Sequence, residues 1–288
     1  MKNRSRLILT LVFFIFLASC SRSDLAGKRV FFGTPDGYAE RLAVEIHKAG
    51  GIPVSVPLIE TVILDTNPGI DSLLKHLAEI DYIAFSSRKA IEAFISRADS
   101  ATIEYLRTGN IRLCAIGKDA ELLKDEIGLI TYIEPEEPSP RGIINELSEI
   151  KDIKGKSIAV ITPSVRDIPE PDVVPDFIEG LKEIGMDVIR VDAYYTGPVK
   201  DLDFEKYRYD LAEGYYDVIA FTSTAEIEVF LLMMDDQTLA DDQVIACFGP
   251  YTASNARNMG LDVDIVAGDF SSFAGFADAI DEYFTGRQ

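Results

Sequence analysis

Short apolar runs alternate with helix-like segments along most of the chain. Buried parallel strands are apolar on both faces, and four runs have this character. They are residues 30–32, 82–85, 158–161 and 218–221. After two of these runs, apolar residues recur at the three- and four-residue spacing of amphipathic helices, in 91–95 and again in 227–231. This alternation predicts an α/β fold with two lobes of parallel sheet flanked by helices.

Three pairs of segments match in the same order, which indicates an internal duplication. Residues 27–35 match 155–163, residues 81–94 match 217–230, and residues 117–128 match 249–260, at offsets of 128, 136 and 132. In the second pair, eight of fourteen positions are identical. The glycines that end the third pair, Gly128 and Gly260, are expected to close their helices in a left-handed conformation. Two extended segments, 56–62 and 191–196, lie between repeat elements and are expected to cross between the lobes.

A two-lobed α/β protein binds its ligand between the lobes, at the carboxyl ends of the strands. The residues at those positions are Thr34, Ser86, Ser87, Gly117, Thr162, Thr222, Ser223 and Gly249. Ser87 and Ser223 each precede a helix, so each has two compatible interpretations: a helix cap worth ~1 kcal/mol, or part of an anion site at the helix N-terminus. The segment Gly249-Pro250-Tyr251-Thr252 opens another helix and suits either a cap or a carboxylate or phosphate cradle.

Composition excludes several classes of function. The chain has 28 Lys and Arg against 48 Asp and Glu, a net charge of −20, so it lacks the clustered cations that nucleic-acid binding requires. The two histidines, His47 and His76, and the three cysteines show no metal-ligand spacing, and no glycine-rich nucleotide loop occurs. We expect no metal and no cofactor, and both histidines at the surface. Cys114 and Cys247 lie in apolar runs and are expected to be two separate buried thiols.

The first twenty residues have the pattern of a secretory leader. Lys2, Arg4 and Arg6 precede an apolar run at 7–18, which is too short to span a bilayer and ends at small residues before Cys20. This order resembles a bacterial lipoprotein signal peptide, in which the cysteine is lipidated. We therefore expect a membrane-anchored lipoprotein, or a cytoplasmic protein if the leader is not used. An uncleaved anchor or a misplaced start codon are the other interpretations.

Four segments occur in an order that resembles the uroporphyrinogen-III synthase family. They are residues 81–94, 193–196, 217–230 and 248–253. The resemblance implies two α/β lobes joined by a two-stranded connector, with the lobes exchanged relative to the repeats. Lobe 1 would combine 28–57 with 195–288, and lobe 2 would comprise 60–192, after the leader at 1–20.

The resemblance also implies a chemistry. Family members are lyases that close hydroxymethylbilane, a linear tetrapyrrole with eight carboxylates, into a ring without a cofactor, with loss of water and inversion of the terminal pyrrole. Tyr194 would assist departure of the hydroxyl, and Ser87, Ser223 and Thr252 would meet substrate carboxylates, with Lys89 adding a cation. The full set of substrate-binding candidates is Thr34, Ser86, Ser87, Lys89, Gly117, Thr162, Thr222, Ser223, Thr224, Gly249, Tyr251 and Thr252. The protein would act as a monomer and receive substrate from hydroxymethylbilane synthase.

Two other functions remain open from the residues. The same cleft would serve a non-catalytic lipoprotein that binds a tetrapyrrole or another anionic ligand. A solute-binding lipoprotein of a transporter shares the leader, size and two-lobed plan. The ordered segments disfavour the transporter protein, because the connector tyrosine and the Gly-Pro-Tyr-Thr-Ala segment belong to the synthase pattern.

Overall fold

The computed structural model describes residues 25–117, 119–235 and 238–286. The predicted leader at 1–20 and its Cys20 lie outside these residues. Among the described residues, no helix combines the length and the apolar character needed to cross a bilayer.

Lobe 1 is built on a five-stranded, fully parallel sheet. Its strands are β1 (Arg29–Phe32), β2 (Ile52–Ser55), β8 (Val218–Phe221), β9 (Val244–Cys247) and β10 (Ile265–Val266), in the order β10-β9-β8-β1-β2. Its helices are α1 (Asp36–Lys48), α8 (Phe204–Ala212), α9 (Thr224–Met234), α10 (Pro250–Asn258) and α11 (Phe273–Thr285). The first two strands come from the start of the chain and the other three from its end.

Lobe 2 is built on a second five-stranded sheet. Its strands are β3 (Ile59–Ile63), β4 (Tyr82–Phe85), β5 (Arg112–Ala115), β6 (Ser157–Val165) and β7 (Asp187–Pro198), in the order β3-β7-β6-β4-β5. Its helices are α2 (Pro68–Lys75), α3 (Arg88–Ile95), α4 (Ser100–Arg107), α5 (Asp119–Ile127), α6 (Pro140–Ser148) and α7 (Val173–Glu183). All neighbouring strands run parallel except β3 and β7.

The antiparallel pair β3 and β7 connects the lobes. Ile59 lies opposite Pro198, and Ile63 lies opposite Tyr194. The chain enters lobe 2 just after β2 and leaves it at the end of β7. The sequence-based boundary at residue 195 therefore falls inside β7, because that strand remains paired in the second sheet as far as Pro198.

Helices cover both faces of each sheet, which explains why the strands read as continuous apolar runs. Along β1, Phe31 packs into one core cluster while Val30 and Phe32 pack into the cluster on the opposite face. The same division occurs in lobe 2, where Ile83 and Tyr82 belong to different clusters. The fold class predicted from the alternation is confirmed.

The duplication is visible as two equivalent ion pairs at the strand ends. Lys28 Nζ lies 2.8 Å from a carboxylate oxygen of Asp217, and Lys156 Nζ lies 2.8 Å from one of Asp81. Each aspartate also accepts a backbone N–H from the neighbouring strand, that of Arg29 or Ser157. Each pair joins one repeat copy to the other, so the copies exchange their first strands between the lobes.

Several local predictions are confirmed. Gly128 and Gly260 follow helices α5 and α10 with φ of +66° and +92°, the left-handed conformation that closes a last turn at no steric cost to glycine. Cys114 in β5 and Cys247 in β9 are free, buried thiols in different sheets. Both histidines are exposed.

Candidate functional site

A cavity of about 700 Å³ lies between the lobes. Lobe 1 contributes residues 35–38 and Arg41 of α1, the connector contributes 59–62, and lobe 2 contributes residues of α3. The lining thus combines the carboxyl end of β1, the N-terminus of a helix and the crossing strands. This is the position at which two-lobed α/β proteins bind small molecules.

The cavity has cationic and acidic groups in equal number: Arg41, Arg88 and Lys89 against Asp36, Glu60 and Glu92. Glu92 interacts with both cations of its own helix, at 3.2 Å from Arg88 and 2.6 Å from Lys89. Within the described part of the chain, Arg41 has no ion pair, and its guanidinium lies 5.3 Å from the centre of the Phe273 ring. Arg41 is therefore the cation best placed to take an external anion.

Tyr38 and Asp119 lie where the two lobes meet. Burial, reinforced by the charge of Asp119, raises the pKa of Tyr38 well above its usual range. Burial also raises the pKa of Asp119 to about 6, although the Arg88 charge and a hydrogen bond from the Arg88 backbone N–H act in the opposite direction. Asp119 thus has a carboxyl group of raised pKa that interacts with Tyr38, Arg41 and Arg88, which line the cavity.

A β-bulge positions Tyr194. Along β7, Asp192 pairs with Thr162 but Tyr194 pairs with Pro163, so Ala193 is an extra residue in the ladder. Successive strand residues normally point to opposite faces, yet Ala193 and Tyr194 belong to the same core cluster, because the bulge reorients the side chains. Asn67 holds this segment in place, since its side-chain amide donates to the Ala193 carbonyl and its oxygen accepts the N–H of Ile70 to cap α2.

The Tyr194 hydroxyl shares a hydrogen bond of 2.8 Å with Ser87 Oγ, which also accepts the backbone N–H of Ala90 and so caps α3. Burial raises the pKa of Tyr194 to about 12, so the hydroxyl keeps its proton throughout the physiological range. The side chain is 5% exposed and does not line the cavity. The neighbouring Ser86 donates to the Ile161 carbonyl. Tyr194, Ser86 and Ser87 therefore form a hydroxyl cluster directly behind the cavity.

The matching turn of lobe 1 has a different set of contacts. Ser223 caps α9, and the carboxyl group of Glu226 accepts hydrogen bonds from the Thr222 N–H, the Thr222 hydroxyl and the Ser223 hydroxyl. Burial raises the pKa of Glu226 to about 7, against the lowering effect of those hydrogen bonds. This carboxyl group occupies the first turn of α9.

The remaining candidate residues are distributed around the junction rather than gathered in one pocket. Lys89 lines the cavity between the lobes, and Gly117 lines a second cavity of about 510 Å³. Thr34 is 1% exposed and its hydroxyl has no hydrogen-bond partner in the described structure. Thr162 is buried and donates to Asp192. The second cavity is bordered by acidic residues at 134–137 and by Asp269.

Near α10, the structure separates three further candidates by exposure. Thr252 is buried within the helix, whereas Tyr251 is exposed. Gly249 precedes the helix in extended conformation. Thr224, at the start of α9, accepts a hydrogen bond from the Asn255 side chain. These contacts tie α9 to α10.

Sequence reasoning missed three groups at the junction, Tyr38, Arg41 and Asp119, and a fourth, Glu226, in the first turn of α9. The first three lie on helices that meet only because the lobes close on each other, and no local pattern encodes that contact. Glu226 did carry a signal, because Ser223-Thr224-Ala225-Glu226 has the spacing of a capping box. Within the described residues, no three metal-ligating side chains come together.

Comparison with known proteins gives consistent results. The family described as "Uroporphyrinogen-III synthase HemD" matches residues 40–276. The chain is 25% identical over 258 residues to a uroporphyrinogen-III synthase of Chlorobaculum parvum, covering 88% of this chain and 98% of that one. It is 22% identical over 240 residues to the porphyrin biosynthesis protein HemD of Ruminiclostridium josui, covering 83% of this chain but only 46% of that protein.

The fold has a counterpart among solved structures. A mutant uroporphyrinogen III synthase of Thermus thermophilus superposes with a TM-score of 0.61 at 17% identity, covering 91% of this chain and all of that one. At this level of identity the likeness concerns the two-lobed architecture and its connector.

Proposed function

The chain belongs to the uroporphyrinogen-III synthase family, and we propose on this basis that it catalyses the ring closure of hydroxymethylbilane to uroporphyrinogen III. The hydroxyl of the hydroxymethyl group leaves as water while its carbon stays as the methylene of an azafulvene, and the terminal pyrrole attacks that methylene through its substituted carbon. Rearrangement of the spiro intermediate inverts that ring. The protein is then a cofactor-free lyase of tetrapyrrole biosynthesis.

The observation that carries the proposal is the cavity at the lobe junction. Its volume, about 700 Å³, falls within the ~300–1,000 Å³ typical of small-molecule sites. Both lobes and the connector contribute to it, so a bound tetrapyrrole would hold the lobes in one relative orientation. Such positioning of the two ends of a linear substrate is the main requirement of a ring closure.

The residues near the cavity support distinct roles. Arg41 and the uncapped first turn of α1 are suited to substrate carboxylates, because free N–H groups at a helix N-terminus favour negative charge. Lys89 is suited to a further carboxylate once Glu92 releases it. The Tyr194 hydroxyl, which remains protonated, is suited to donate a proton to the departing hydroxyl when its bond to Ser87 opens.

The test uses the protein without residues 1–20 and hydroxymethylbilane generated in situ. The products are oxidised, and the type I and type III porphyrins are separated by chromatography. Predominance of the type III isomer supports the proposal, because spontaneous closure gives type I. Folded protein that yields only type I refutes it.

One observation favours the alternative of a non-catalytic tetrapyrrole-binding protein. Tyr194 is buried behind the cavity, with its hydroxyl engaged by Ser87. A binding protein would retain affinity for uroporphyrin, a stable octacarboxylate, while leaving the isomer ratio at its spontaneous value. Measuring the binding constant and the isomer ratio on the same preparation distinguishes the two functions.

We further propose that Cys20 is lipidated and holds the protein at a membrane as a monomer that receives substrate from hydroxymethylbilane synthase. The leader-like order of charge, apolar run and cysteine supports the anchor. Labelling with radioactive palmitate should mark the wild-type chain and spare Cys20→Ser. Equal labelling of both proteins, or none in either, would contradict the lipid anchor.

A further inference from the structure

The internal duplication allows the two candidate anion-binding turns to be compared position by position. At the offset of 136, Ser86 corresponds to Thr222, Ser87 to Ser223 and Ala90 to Glu226. Both turns follow an interior strand of their sheet, and both begin a helix capped by the serine. The same backbone geometry therefore carries a methyl group in one lobe and a carboxyl group in the other.

In lobe 1 the Glu226 carboxyl group takes the donors of its own turn. Oε2 accepts the Thr222 N–H at 3.0 Å, and Oε1 accepts both the Thr222 hydroxyl and the Ser223 hydroxyl, the latter at 3.1 Å. Glu226 is 1% exposed, whereas Thr222 and Ser223 are half-buried, so the carboxyl group lies inside the turn with its donors on the outer side. An external carboxylate would need the same donors and would lie against a second carboxyl group.

In lobe 2 the hydroxyls of the corresponding turn are not claimed by any carboxyl group. Ser86 donates to a strand carbonyl, and Ser87 shares its hydrogen bond with Tyr194. A carboxyl group does approach this turn, since Asp119 accepts the Arg88 backbone N–H. That group belongs to another helix, α5, and neither serine hydroxyl bonds it, since Ser86 bonds the Ile161 carbonyl and Ser87 bonds Tyr194. Arg88 and Lys89, which both interact with Glu92, occupy the positions where lobe 1 has Thr224 and Ala225.

We propose that Glu226 is a specificity-determining residue, which blocks the turn before α9 in lobe 1, so that of the two duplicated turns only the one before α3 in lobe 2 binds an external carboxylate. The identity of those carboxylates as tetrapyrrole side chains rests on the proposed function. The blocking of the lobe 1 turn follows from the contacts of Glu226 and does not depend on whether the protein is an enzyme. Thr222 and Ser223 then act as the partners of an internal carboxyl group rather than as substrate ligands.

The first experiment titrates the protein, and its Glu226→Ala variant, with inorganic phosphate in a calorimeter. Removal of the carboxyl group frees three donors at a helix N-terminus, so Glu226→Ala should bind one more phosphate per chain than the wild type. Glu226→Gln, which still fills the turn without the negative charge, should bind no additional phosphate. A Glu226→Ala protein that binds no additional phosphate overturns the proposal.

The second experiment measures uroporphyrin affinity by fluorescence quenching and compares matched cap variants. Ser223→Ala and Ser87→Ala each remove one capping hydroxyl, at a similar cost to stability. We expect Ser223→Ala to leave the affinity within about twofold of wild type and Ser87→Ala to weaken it by roughly tenfold, as expected for loss of one charge-assisted hydrogen bond. Equal weakening by both variants overturns the proposal, and this comparison decides the question if Glu226→Ala does not fold.

These outcomes are separable from failure of the proposed function. If wild-type protein yields only type I porphyrin while Glu226→Ala binds an additional phosphate, the proposed enzymatic function is wrong and the blocking of the lobe 1 turn by Glu226 is supported. If type III forms and Ser223→Ala loses as much affinity for uroporphyrin as Ser87→Ala, the enzymatic function is supported and the blocking of the lobe 1 turn by Glu226 is contradicted.

Discussion

Replacing Tyr194 with phenylalanine removes one hydroxyl and leaves the aromatic ring in its core. The ring is 5% exposed and packs in the cluster that contains Val191 and Ala193. Phenylalanine retains that apolar burial, so the variant loses only the 2.8 Å hydrogen bond to Ser87. Ser87 still accepts the Ala90 N–H and continues to cap α3.

The expected cost in stability is small. A neutral hydrogen bond contributes about 1 kcal/mol to the free energy of unfolding, and the Ala90 N–H keeps its bond to Ser87. For a chain of this size that corresponds to a melting temperature lower by roughly 2–4 °C. The expected cost in rate is much larger, because a positioned general acid contributes roughly 10²–10⁴-fold. The two magnitudes differ enough to be measured independently.

The assay is the rate of type III formation, measured beside a urea titration of the same protein. Ser87→Ala is the matched control, because it breaks the same hydrogen bond but retains the Tyr194 hydroxyl, and we expect its rate to stay within about tenfold of wild type. Since burial raises the pKa of Tyr194 to about 12, the wild-type rate should show no tyrosine titration between about pH 6 and 9. A Tyr194→Phe protein that forms type III at the wild-type rate would refute proton donation by Tyr194.

Three further predictions concern charge. Asp81→Ala and Asp217→Ala should each lower the free energy of unfolding in urea by about 1–2 kcal/mol, because each carboxylate bonds a lysine and a backbone N–H across strands; unchanged stability would contradict the role of these ion pairs. Burial raises the pKa of Glu226 from 4.5 to about 7, so the folded protein binds this proton more tightly than the unfolded chain does. The resulting stabilisation is complete below pH 4.5 and is lost as the pH rises through 7. Glu226→Gln should therefore become more stable relative to wild type by up to about 3 kcal/mol between those pH values, and a constant difference would exclude this linkage. Finally, kcat/KM for hydroxymethylbilane should rise between about 10 and 150 mM salt, since a chain of charge −20 repels a polyanion over distances that salt screens; a fall would show that local cations dominate the encounter.

The architecture could be predicted because the duplication repeats whole supersecondary units. Strands buried on both faces leave an unambiguous apolar run, and the paired segments fixed which runs are equivalent. The exchange of first strands between copies came from the family resemblance, because strand pairing across 189 residues, as between Lys28 and Asp217, leaves no trace in local periodicity. The bulge at Ala193 could not be predicted from the sequence either, because it depends on the register between β6 and β7.

The site was predicted less completely than the fold. Strand-end reasoning found Ser87 and Ser223, but it treated their turns as equivalent, and the structure shows that the third residue after each serine decides the contacts of the turn. Tyr38 and Asp119 belong to opposite lobes, and their raised pKa values arise from burial at an interface that only the closed arrangement creates. Local patterns identify caps and strands, whereas desolvation depends on the whole fold.

The balance of charge in the cavity indicates how a polyanion can bind a strongly acidic protein. The three cations of the lining are matched by three carboxylates, and Glu92 already interacts with two of the cations. Long-range attraction is therefore absent, and binding energy has to come from short-range, directional donors that become desolvated on contact. Arg41 and the first turn of α1 are available without breaking an ion pair, while Lys89 requires Glu92 to move. A carboxylate of the proposed substrate can therefore bind at α1 without loss of an ion pair, whereas Lys89 binds one only when its contact with Glu92 is broken.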